Sequence, residues 1–330
     1  MTAHPHRALV PPIEPGVVRP LWSVMIPAYN CAPYLGQAIE GVLQQAPGPE
    51  RMQIEVVDDD SSDDPAGVVA RFGGRVSLYR QPRNVGNVAN FNTCLLRARG
   101  HLVHLLHGDD AVRDGFYERL GSALERNPEV GAAFCRYSAM DEDGNVTNDS
   151  PLEADRPGVL DDWLERIAGG QRLQPPCVAV RRRAYERLGG FDNRLVYGED
   201  WEMWTRIAAA YAVWYEPAPL ALYRIRGGSV TDRSLKTGDN VADLRRAIAI
   251  NREVLPPDRS VEIMREALET TALTALRRGR RRLGAGDTEE AASQLRGALV
   301  TSRSPRVLTG AALLQALRIR RWILVRLGRR

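Results

Sequence analysis

Three clusters of acidic residues stand at comparable places in the sequence, next to short apolar segments. They are Asp58–Asp64, His107-Gly108-Asp109-Asp110 and Gly198-Glu199-Asp200-Trp201. Carboxylates at strand ends can accept hydrogen bonds from a base and a ribose, and a clustered pair can hold a divalent cation that offsets the charge of a diphosphate. A third carboxylate, apart from the cation, can take a proton from an incoming hydroxyl. These are the kinds of chemistry that the three clusters could perform.

Each cluster also has a purely structural interpretation. An Asp/Ser run such as 58–64 is often a turn that caps the next helix, and Asp109-Asp110 could cap a helix in the same way. The pair Glu199-Asp200 could complement a helix dipole. An EF-hand loop over residues 58–69 is excluded, because Asp63 and Val69 stand where that loop requires Gly and Glu. One cluster alone would indicate little, whereas three in order favour a ligand site.

A zinc site is not expected from the histidines or cysteines. His101, His104 and His107 are three residues apart, but their segment has the pattern of a strand, in which His104 faces away from the other two. His107 alone, beside the Asp pair, can still line the site. The four cysteines are far apart, which argues against a zinc ribbon or disulfide framework and fits a reduced compartment. Motifs of dinucleotide enzymes, P-loop NTPases and α/β-hydrolases are absent.

The segments around the clusters alternate between strand and helix patterns from Leu21 onward. The predicted strands are 22–26, 53–57, 75–80, 101–107 and 130–137, and the predicted helices among them are 34–43, 88–99 and 114–127. This order predicts βαβ units and a mostly parallel sheet. Ligands of such sheets bind beyond the carboxyl ends of the strands, where the first two acidic clusters begin.

The alternation ends after residue 140. The sequence then predicts a turn at 141–145, a short helix at 163–167, an extended segment at 176–180 and a helix at 199–210, followed by helices at 239–254, 260–276, 288–300 and 311–327. Five prolines and no signal-peptide run stand in the first twenty residues. We therefore expect a disordered leader over 1–20, an α/β domain over 21–230 and a helical region over 231–330.

Seven ordered motifs in the α/β domain resemble those of family 2 glycosyltransferases. They are Val24-Met-Ile-Pro-Ala-Tyr-Asn30, Val57-Asp-Asp-Asp-Ser-Ser-Asp63, Asn84-Val-Gly86, Gly108-Asp-Asp110, Gly189-Gly-Phe-Asp192, Glu199-Asp200 and Tyr223-Arg-Ile-Arg226. The resemblance covers about 210 of the 330 residues. It implies a GT-A fold, a Rossmann-like mostly parallel sheet flanked by helices, and inverting transfer of a sugar from a nucleotide-diphosphate donor.

The resemblance also implies a nucleotide pocket. By motif position, Pro27 and Tyr29 would border the nucleotide, and Asp59 would meet the base. Asn84 and Gly86 would shape the pocket around it.

Further roles follow from the same resemblance. Asp109 would lie by the ribose and diphosphate, and Asp110, the last acid of the family's D-x-D element, would bind Mg²⁺ or Mn²⁺. Asp200 would be the base that deprotonates the acceptor hydroxyl, with Glu199 beside it. Trp201 could stack on a sugar ring of the acceptor, or it could be a tryptophan of the core.

Two residues depart from the family pattern. His107 replaces the first acid of D-x-D, although the later acids are intact. Arg226 stands where the family often has a histidine, and an arginine cannot ligate a metal but can pair with phosphate. We therefore expect Arg224 or Arg226 to help neutralise the leaving diphosphate. The processive Q-x-x-R-W motif is absent, which favours a single-addition enzyme.

The net charge of +4 is unevenly distributed. Residues 261–330 hold 15 Arg and 6 acids, so +9, which leaves −5 for residues 1–260. The segment 311–327 alternates leucines, isoleucines and a tryptophan with arginines. Two interpretations stay open: peripheral contact of 311–330 with a membrane surface, or packing on the catalytic domain with snorkelling arginines. Nucleic-acid binding is not expected, because no recognition motif accompanies the charge.

The sequence therefore predicts a metal-dependent glycosyltransferase that uses a nucleotide-diphosphate sugar donor and a sugar or lipid-linked acceptor. We expect it in the cytoplasm or at the inner face of the cell membrane, in polysaccharide, glycolipid or glycoconjugate synthesis. Two alternatives are a GT-A-like nucleotidyltransferase and a catalytically silent sugar-nucleotide-binding subunit. The first would need a basic triphosphate loop, which residues 27–31 do not supply.

Overall fold

The computed structural model describes residues 4–326. Its strands are β1 Trp22–Ala28, β2 Met52–Asp58, β3 Ser77–Arg80, β4 Leu102–Leu105, β5 Ala111–Val112, β6 Val130–Met140, β7 Val146–Asp149, β8 Gly158–Val159, β9 Val178–Arg181 and β10 Ala212–Arg224. Its helices are α1 Ala32–Leu43, α2 Pro65–Ala70, α3 Asn87–Arg97, α4 Phe116–Arg126, α5 Trp163–Gly169, α6 Arg182–Leu188, α7 Glu199–Ala210, α8 Val230–Thr237, α9 Asp239–Asn251, α10 Ser260–Gly284, α11 Thr288–Thr301 and α12 Pro305–Arg326. Short 3₁₀ turns lie at Gly73–Arg75, Pro175–Cys177 and Arg252–Val254.

The strands form a single mixed sheet in the order β3-β2-β1-β4-β9-β6-β10-β5, with β7 paired to β6 and β8 to β10. The β3-β2-β1-β4 half is parallel throughout. Strands β1 and β2 are buried along their whole length, as expected for parallel strands that helices cover on both faces. The predicted parallel βαβ core is confirmed, and helices follow it at the carboxyl-terminal end of the chain, as expected.

The register of the parallel strands brings the loops after β1, β2 and β4 to one edge of the sheet. Ala28 pairs with Asp58, and Met25 pairs with Leu105. Two further backbone bonds extend this edge: the Asp59 amide donates to the Ala28 carbonyl at 2.9 Å, and the Gly108 amide to the Pro27 carbonyl at 3.0 Å. The first two acidic clusters therefore start side by side.

The chain divides into two compact units. The first comprises Met1–Trp163, Arg172–Arg194 and Arg206–Arg226, and the second comprises Leu164–Gln171, Leu195–Thr205 and Gly227–Arg330. The first unit therefore ends near the expected boundary at 230, but two internal segments belong to the second unit. Hydrogen bonds within that unit account for this, because the Trp201 indole donates to the Ile167 carbonyl at 2.5 Å and the Val196 amide to Asp243 at 3.1 Å.

The second unit is helical and has its own apolar core. Its main cluster joins α10, α11 and α12 through side chains such as Ala275, Leu295 and Leu314. A smaller cluster is formed by Ala168, Leu255 and Ile263.

The first residues of the chain differ from the expectation of a disordered leader. Val10 is fully buried, and the Ala8 carbonyl accepts the Gly190 amide at 2.8 Å. Arg7 lies 3.6 Å from Asp192. The prolines stop this segment from forming a helix or a sheet strand, but these contacts with the first unit hold it in place. Residues 1–3 of the expected leader lie outside the described residues.

The four cysteines are buried and free. Among residues 4–326, no helix combines the length and the apolar content needed to cross a bilayer.

Candidate active site

Asp59 fixes the loop that precedes α3. Its carboxylate accepts the amides of Val85 at 2.7 Å and Gly86 at 3.0 Å, and its carbonyl accepts the Asn84 side chain at 3.0 Å. Burial raises the pKa of Asp59, against the effect of these two amides, which favour the charged form. Asp59, Asn84 and Gly86, three of the residues predicted to form the nucleotide pocket, thus share one hydrogen-bond network. Each carboxylate oxygen keeps a second lone pair for a ligand.

Backbone strain is concentrated in the loops after β1 and β2. Among the described residues, the non-glycine residues with positive φ are Asn30, Asp60 and Asp64. The Asn30 side chain accepts the Ser62 amide at 2.9 Å, and the Ala32 amide donates to Asp63 at 2.7 Å. Such strain persists only where neighbouring bonds hold it, and it is commonly found at ligand sites.

Pro27 and Tyr29 lie beside this network. Pro27 is buried within β1 and contributes its carbonyl to Gly108. Tyr29 is 38% exposed, so its side chain is open to a ligand.

His107, Asp109 and Asp110 form a group that could hold a metal ion. One potential ligand atom from each residue lies within 4.8 Å of the other two. Nε2 of His107 and Oδ2 of Asp110 are buried and have no hydrogen-bond partner among the described residues. Burial lowers the pKa of His107 and raises that of Asp110, where the neighbouring Asp109 adds to the effect. A neutral imidazole and a carboxylate with an unpaired buried oxygen are a donor set that suits a divalent cation.

The other histidines do not belong to this group. His104 is buried, with Tyr117 Oη and the Pro176 carbonyl each 3.0 Å from its ring nitrogens. Burial lowers its pKa to about 3. His101 is exposed and lies just before β4. The rejection of a three-histidine zinc site therefore fits these positions.

Arg224, predicted as a ligand for the nucleotide sugar, bonds to the Asp109 loop, the turn after β6 and helix α1. Its guanidinium donates to the carbonyls of Asp109 at 2.8 Å, Asp141 at 2.9 Å and Glu142 at 3.0 Å, and to the Gln37 side chain. The residue is 5% exposed. Four hydrogen bonds of its guanidinium are therefore made within the protein, and they tie the turn after β6 to the Asp109 loop.

Arg226 lies at the acidic group itself. Its Nε donates to Asp109 Oδ2 at 2.6 Å, and its guanidinium lies 5.6 Å from the centre of the Tyr34 ring. Although burial opposes the charge, Asp109 keeps the pKa of Arg226 above its ordinary value. Of the two arginines, Arg226 is therefore the one placed to share a charge with a phosphate.

Asp200 belongs to the second unit, in the first turn of α7. Its carboxylate accepts the Gln171 side chain at 2.8 Å and the Trp201 amide at 2.7 Å. Burial raises its pKa to about 6, against the effect of these two donors. Gly198, just before the helix, has φ +80° and would bring a Cβ within 2.9 Å of Leu244, so the chain requires glycine there. Glu199 is also buried beside Asp200.

Trp201 is a core residue, which corrects its predicted role in stacking on an acceptor sugar. It is 1% exposed. Its indole N–H is bonded to Ile167, so the ring offers no free face. This was the alternative that the sequence left open.

Sequence reasoning missed several residues that shape the site. Gln171 reaches Asp200 across 29 residues, Gln37 reaches Arg224, and the Phe91 ring stacks on His107 with 4.9 Å between centroids. Phe91 could have been found, because it faces the sheet from a helix that follows the nucleotide motif. The two glutamines carry no local pattern that marks them.

Comparison with known proteins places these features in a family. Residues 23–189 match the model of glycosyl transferase family 2. The chain is 33% identical to the uncharacterized protein MT1568 of Mycobacterium tuberculosis over 70% of its own length and 75% of the relative. It is also 27% identical to the putative teichuronic acid biosynthesis glycosyltransferase TuaG of Bacillus subtilis, over 50% of this chain and 69% of that one.

Two solved structures share the fold over most of the chain. S. aureus TarS 1–349 in complex with UDP-GlcNAc has a TM-score of 0.65 and 16% identity, and the match covers 93% of this chain and 92% of TarS. The mannosyltransferase PcManGT from Pyrobaculum calidifontis, in complex with GDP-Man and Mn²⁺, has a TM-score of 0.57 and 21% identity, with 97% and 90% covered. The matched family model, together with the motifs that end β1, β2 and β4, shows that the chain belongs to glycosyl transferase family 2.

Proposed function

We propose that this glycosyltransferase moves a sugar from a nucleotide-diphosphate donor to an acceptor hydroxyl with inversion at the anomeric carbon. The observation that carries the proposal is the pair of acidic loops at the carboxyl ends of β2 and β4, beside the loop that follows β1. Asp59 organises one of these loops, and Asp109 and Asp110 lie in another. In parallel sheets this edge is where nucleotides bind.

The donor pocket is assigned to the first unit. Asp59, with Asn84 and Gly86 fixed around it, would meet the base, and Pro27 and Tyr29 would border the nucleotide. Asp109 and Arg226 would lie by the ribose and diphosphate. Arg226 would then exchange part of its bond to Asp109 for one to a phosphate oxygen, as guanidinium groups do well.

Mg²⁺ or Mn²⁺ would be held by Asp110, with His107 and Asp109 as further ligands. The fit rests on the two buried atoms without hydrogen-bond partners, which a cation would engage. The PcManGT complex with Mn²⁺ supports a metal in this fold. When bound, the cation would offset the charge of the diphosphate leaving group.

Asp200 is proposed as the base. Its carboxylate would take the proton of the acceptor hydroxyl as the oxygen bonds to the anomeric carbon and the bond to the diphosphate breaks, and attack opposite the leaving group inverts the configuration. A base with a pKa of about 6 is mostly ionised at neutral pH and still accepts a proton readily. Glu199 would assist beside it.

The acceptor is proposed to be a sugar or a lipid-linked sugar, in the synthesis of a cell-surface polysaccharide, glycolipid or glycoconjugate. The name of TuaG, a putative teichuronic acid glycosyltransferase, supports this setting. A cytoplasmic position, or one at the inner face of the membrane, fits a donor of this kind.

A thermal-shift panel of sugar nucleotides with and without Mn²⁺ tests the donor assignment, because a ligand that binds the native state raises its apparent stability. We expect one class of sugar nucleotide to stabilise the protein in a Mn²⁺-dependent manner. Donor binding without transfer to any acceptor would favour the silent binding subunit instead. No stabilisation by any sugar nucleotide would contradict the donor site itself.

A further inference from the structure

Helix α12 has one packed face and one face open to solvent. Val307, Ala311 and Leu314 are buried in the apolar cluster that α12 shares with α10 and α11. The helix is also fixed near its end, since Arg321 donates to the Leu283 carbonyl at 2.9 Å. The inner face of α12 is therefore packed within the second unit, and only its outer face is available to a partner.

The outer face is rich in large apolar side chains. Between 38% and 56% of the surface of each is exposed in Leu308, Leu313, Ile319, Trp322, Ile323 and Leu324. Leu308, Ile319 and Ile323 lie within about 60° of one another around the helix, at 100° per residue. An exposed apolar surface of this kind marks an interaction site.

The same face is strongly cationic. Residues 305–330 contain seven arginines and no acidic residue. Arg306, Arg320 and Arg326 are exposed, and no carboxylate pairs with them among the described residues. Arg326 lies over the Trp322 ring, 4.1 Å from its centroid. Apolar and cationic side chains are therefore interleaved on one surface.

A cationic cavity adjoins the helix within the second unit. Its volume is about 400 Å³, and the charged side chains that line it are Lys236, Arg296, Arg318 and Glu289. Three cationic side chains thus face one carboxylate in the cavity, and one of them, Lys236, also donates a hydrogen bond to Asp232 at 2.8 Å. Nε of Arg318 is buried and has no hydrogen-bond partner among the described residues. A phosphate group matches this lining, and Arg318 belongs to α12 itself.

We propose that the outer face of α12 docks on a membrane surface that contains anionic phospholipids. Ile319, Trp322 and Ile323 enter the boundary between headgroups and acyl chains, while the arginines reach the lipid phosphates. A headgroup phosphate can also occupy the cavity at Arg318. Docking needs no sugar transfer, so it goes beyond the proposed function and stands independently of it.

Two other occupants fit this surface less well. A second copy of the same face would bring the exposed Arg306, Arg320 and Arg326 against their own counterparts, and residues 305–330 contain no acid to pair with them. A nucleic acid would satisfy the arginines but would leave Ile319, Ile323 and Leu308 without an apolar environment. Only a surface that is both anionic and apolar matches the two components.

Co-sedimentation of the full-length protein with vesicles tests the proposal. Vesicles of phosphatidylcholine are compared with vesicles of phosphatidylcholine and phosphatidylglycerol. The variants are Ile319→Ser/Ile323→Ser, which removes apolar contact, and Arg306→Gln/Arg320→Gln/Arg326→Gln, which removes charge. Val261→Ser/Val300→Ser is the matched control, because these two valines are 73% and 65% exposed on α10 and α11.

We expect binding to the phosphatidylglycerol vesicles and much less to phosphatidylcholine alone. Each arginine contributes about fivefold to partitioning, so the triple charge variant should lose roughly a hundredfold. The apolar variant should lose about tenfold or more per isoleucine. The control should bind like the wild type.

Trp322 provides a second measurement, since the other tryptophans are less exposed. Lipids with brominated chains should quench its fluorescence, and Trp322→Phe should remove most of the quenched signal. Equal binding to both vesicle types would overturn the proposal, as would losses in the control that match those in the apolar variant. A change of oligomeric state in the apolar variant, without any change in vesicle binding, would also overturn it.

Discussion

Replacing Asp200 with asparagine is expected to slow transfer strongly and to stabilise the protein at neutral and alkaline pH. Burial raises the pKa of Asp200 from 3.8 to about 6, so the folded protein holds a proton there more tightly than the unfolded chain. Ionising the group then costs folding free energy, about 3 kcal/mol for a shift of about two units. The cost is absent below about pH 4 and fully present above about pH 6.

Asparagine is neutral throughout this range. It keeps one oxygen, so it can accept from either Gln171 or the Trp201 amide but not from both, and the lost hydrogen bond costs about 1 kcal/mol. The variant should therefore be more stable than the wild type by about 2 kcal/mol near pH 8 and less stable by about 1 kcal/mol near pH 4. Turnover should fall about 10²- to 10⁴-fold with donor binding intact, since the proposed base is lost.

Urea unfolding at the two pH values measures the stability, and release of nucleoside diphosphate measures the turnover. Asp258→Asn is the matched control, because Asp258 is exposed, and it should change neither quantity. Wild-type activity should fall as the pH drops through about 6, when the base becomes protonated. A stability difference that does not vary with pH would refute the raised pKa, and turnover within tenfold of the wild type would refute Asp200 as the base.

Three further substitutions test residues of the proposed donor site. Arg226→Ala should weaken donor binding and turnover about tenfold or more, because a charged hydrogen bond to the diphosphate is lost. Arg51→Ala is the control, since Arg51 is exposed to solvent and lies outside the site. Unchanged donor titration and turnover in Arg226→Ala would exclude Arg226 from the diphosphate site. Asp110→Asn should abolish the Mn²⁺-dependent part of the thermal shift given by the donor, and a retained Mn²⁺ response would place the metal elsewhere. Gly86→Ala should destabilise the protein by about 1–2 kcal/mol through its φ of +86°, although a Cβ there meets no atom within 4 Å. Gly74→Ala, at a site equally open but without positive φ, should leave urea unfolding unchanged, and equal losses in both would refute the backbone argument.

The sequence predicted the parallel core well because β1 and β2 are rich in apolar residues, and the structure buries both strands along their whole length. It did not predict β10, although β10 lies between β6 and β5 in the sheet. Pro217 and Pro219 interrupt that segment, and prolines normally argue against a central strand. The structure accommodates them with register shifts between Glu216 and Pro219 and between Pro219 and Ala221.

In the candidate site, too, some features could be predicted from the sequence and others could not. Motifs identified the acidic side chains, since chemistry restricts which residue types can act there. They did not show that Arg224 is used within the protein, because its partners Asp141 and Glu142 contribute backbone carbonyls that no side-chain pattern encodes. Burial likewise decided between the two roles of Trp201, and burial depends on residues distant in sequence.

The interleaving of the two units has a practical consequence for protein engineering. Asp200 and Gln171 stand in short segments of the chain that fold with the C-terminal helices. A truncation after Arg226 would therefore leave these segments without the helices they pack with, and a chimera with a relative would have to exchange three separate stretches together. The C-terminal helices cannot be deleted without disturbing the segments that carry Asp200 and Gln171. A shorter active fragment should therefore be sought by shortening surface loops.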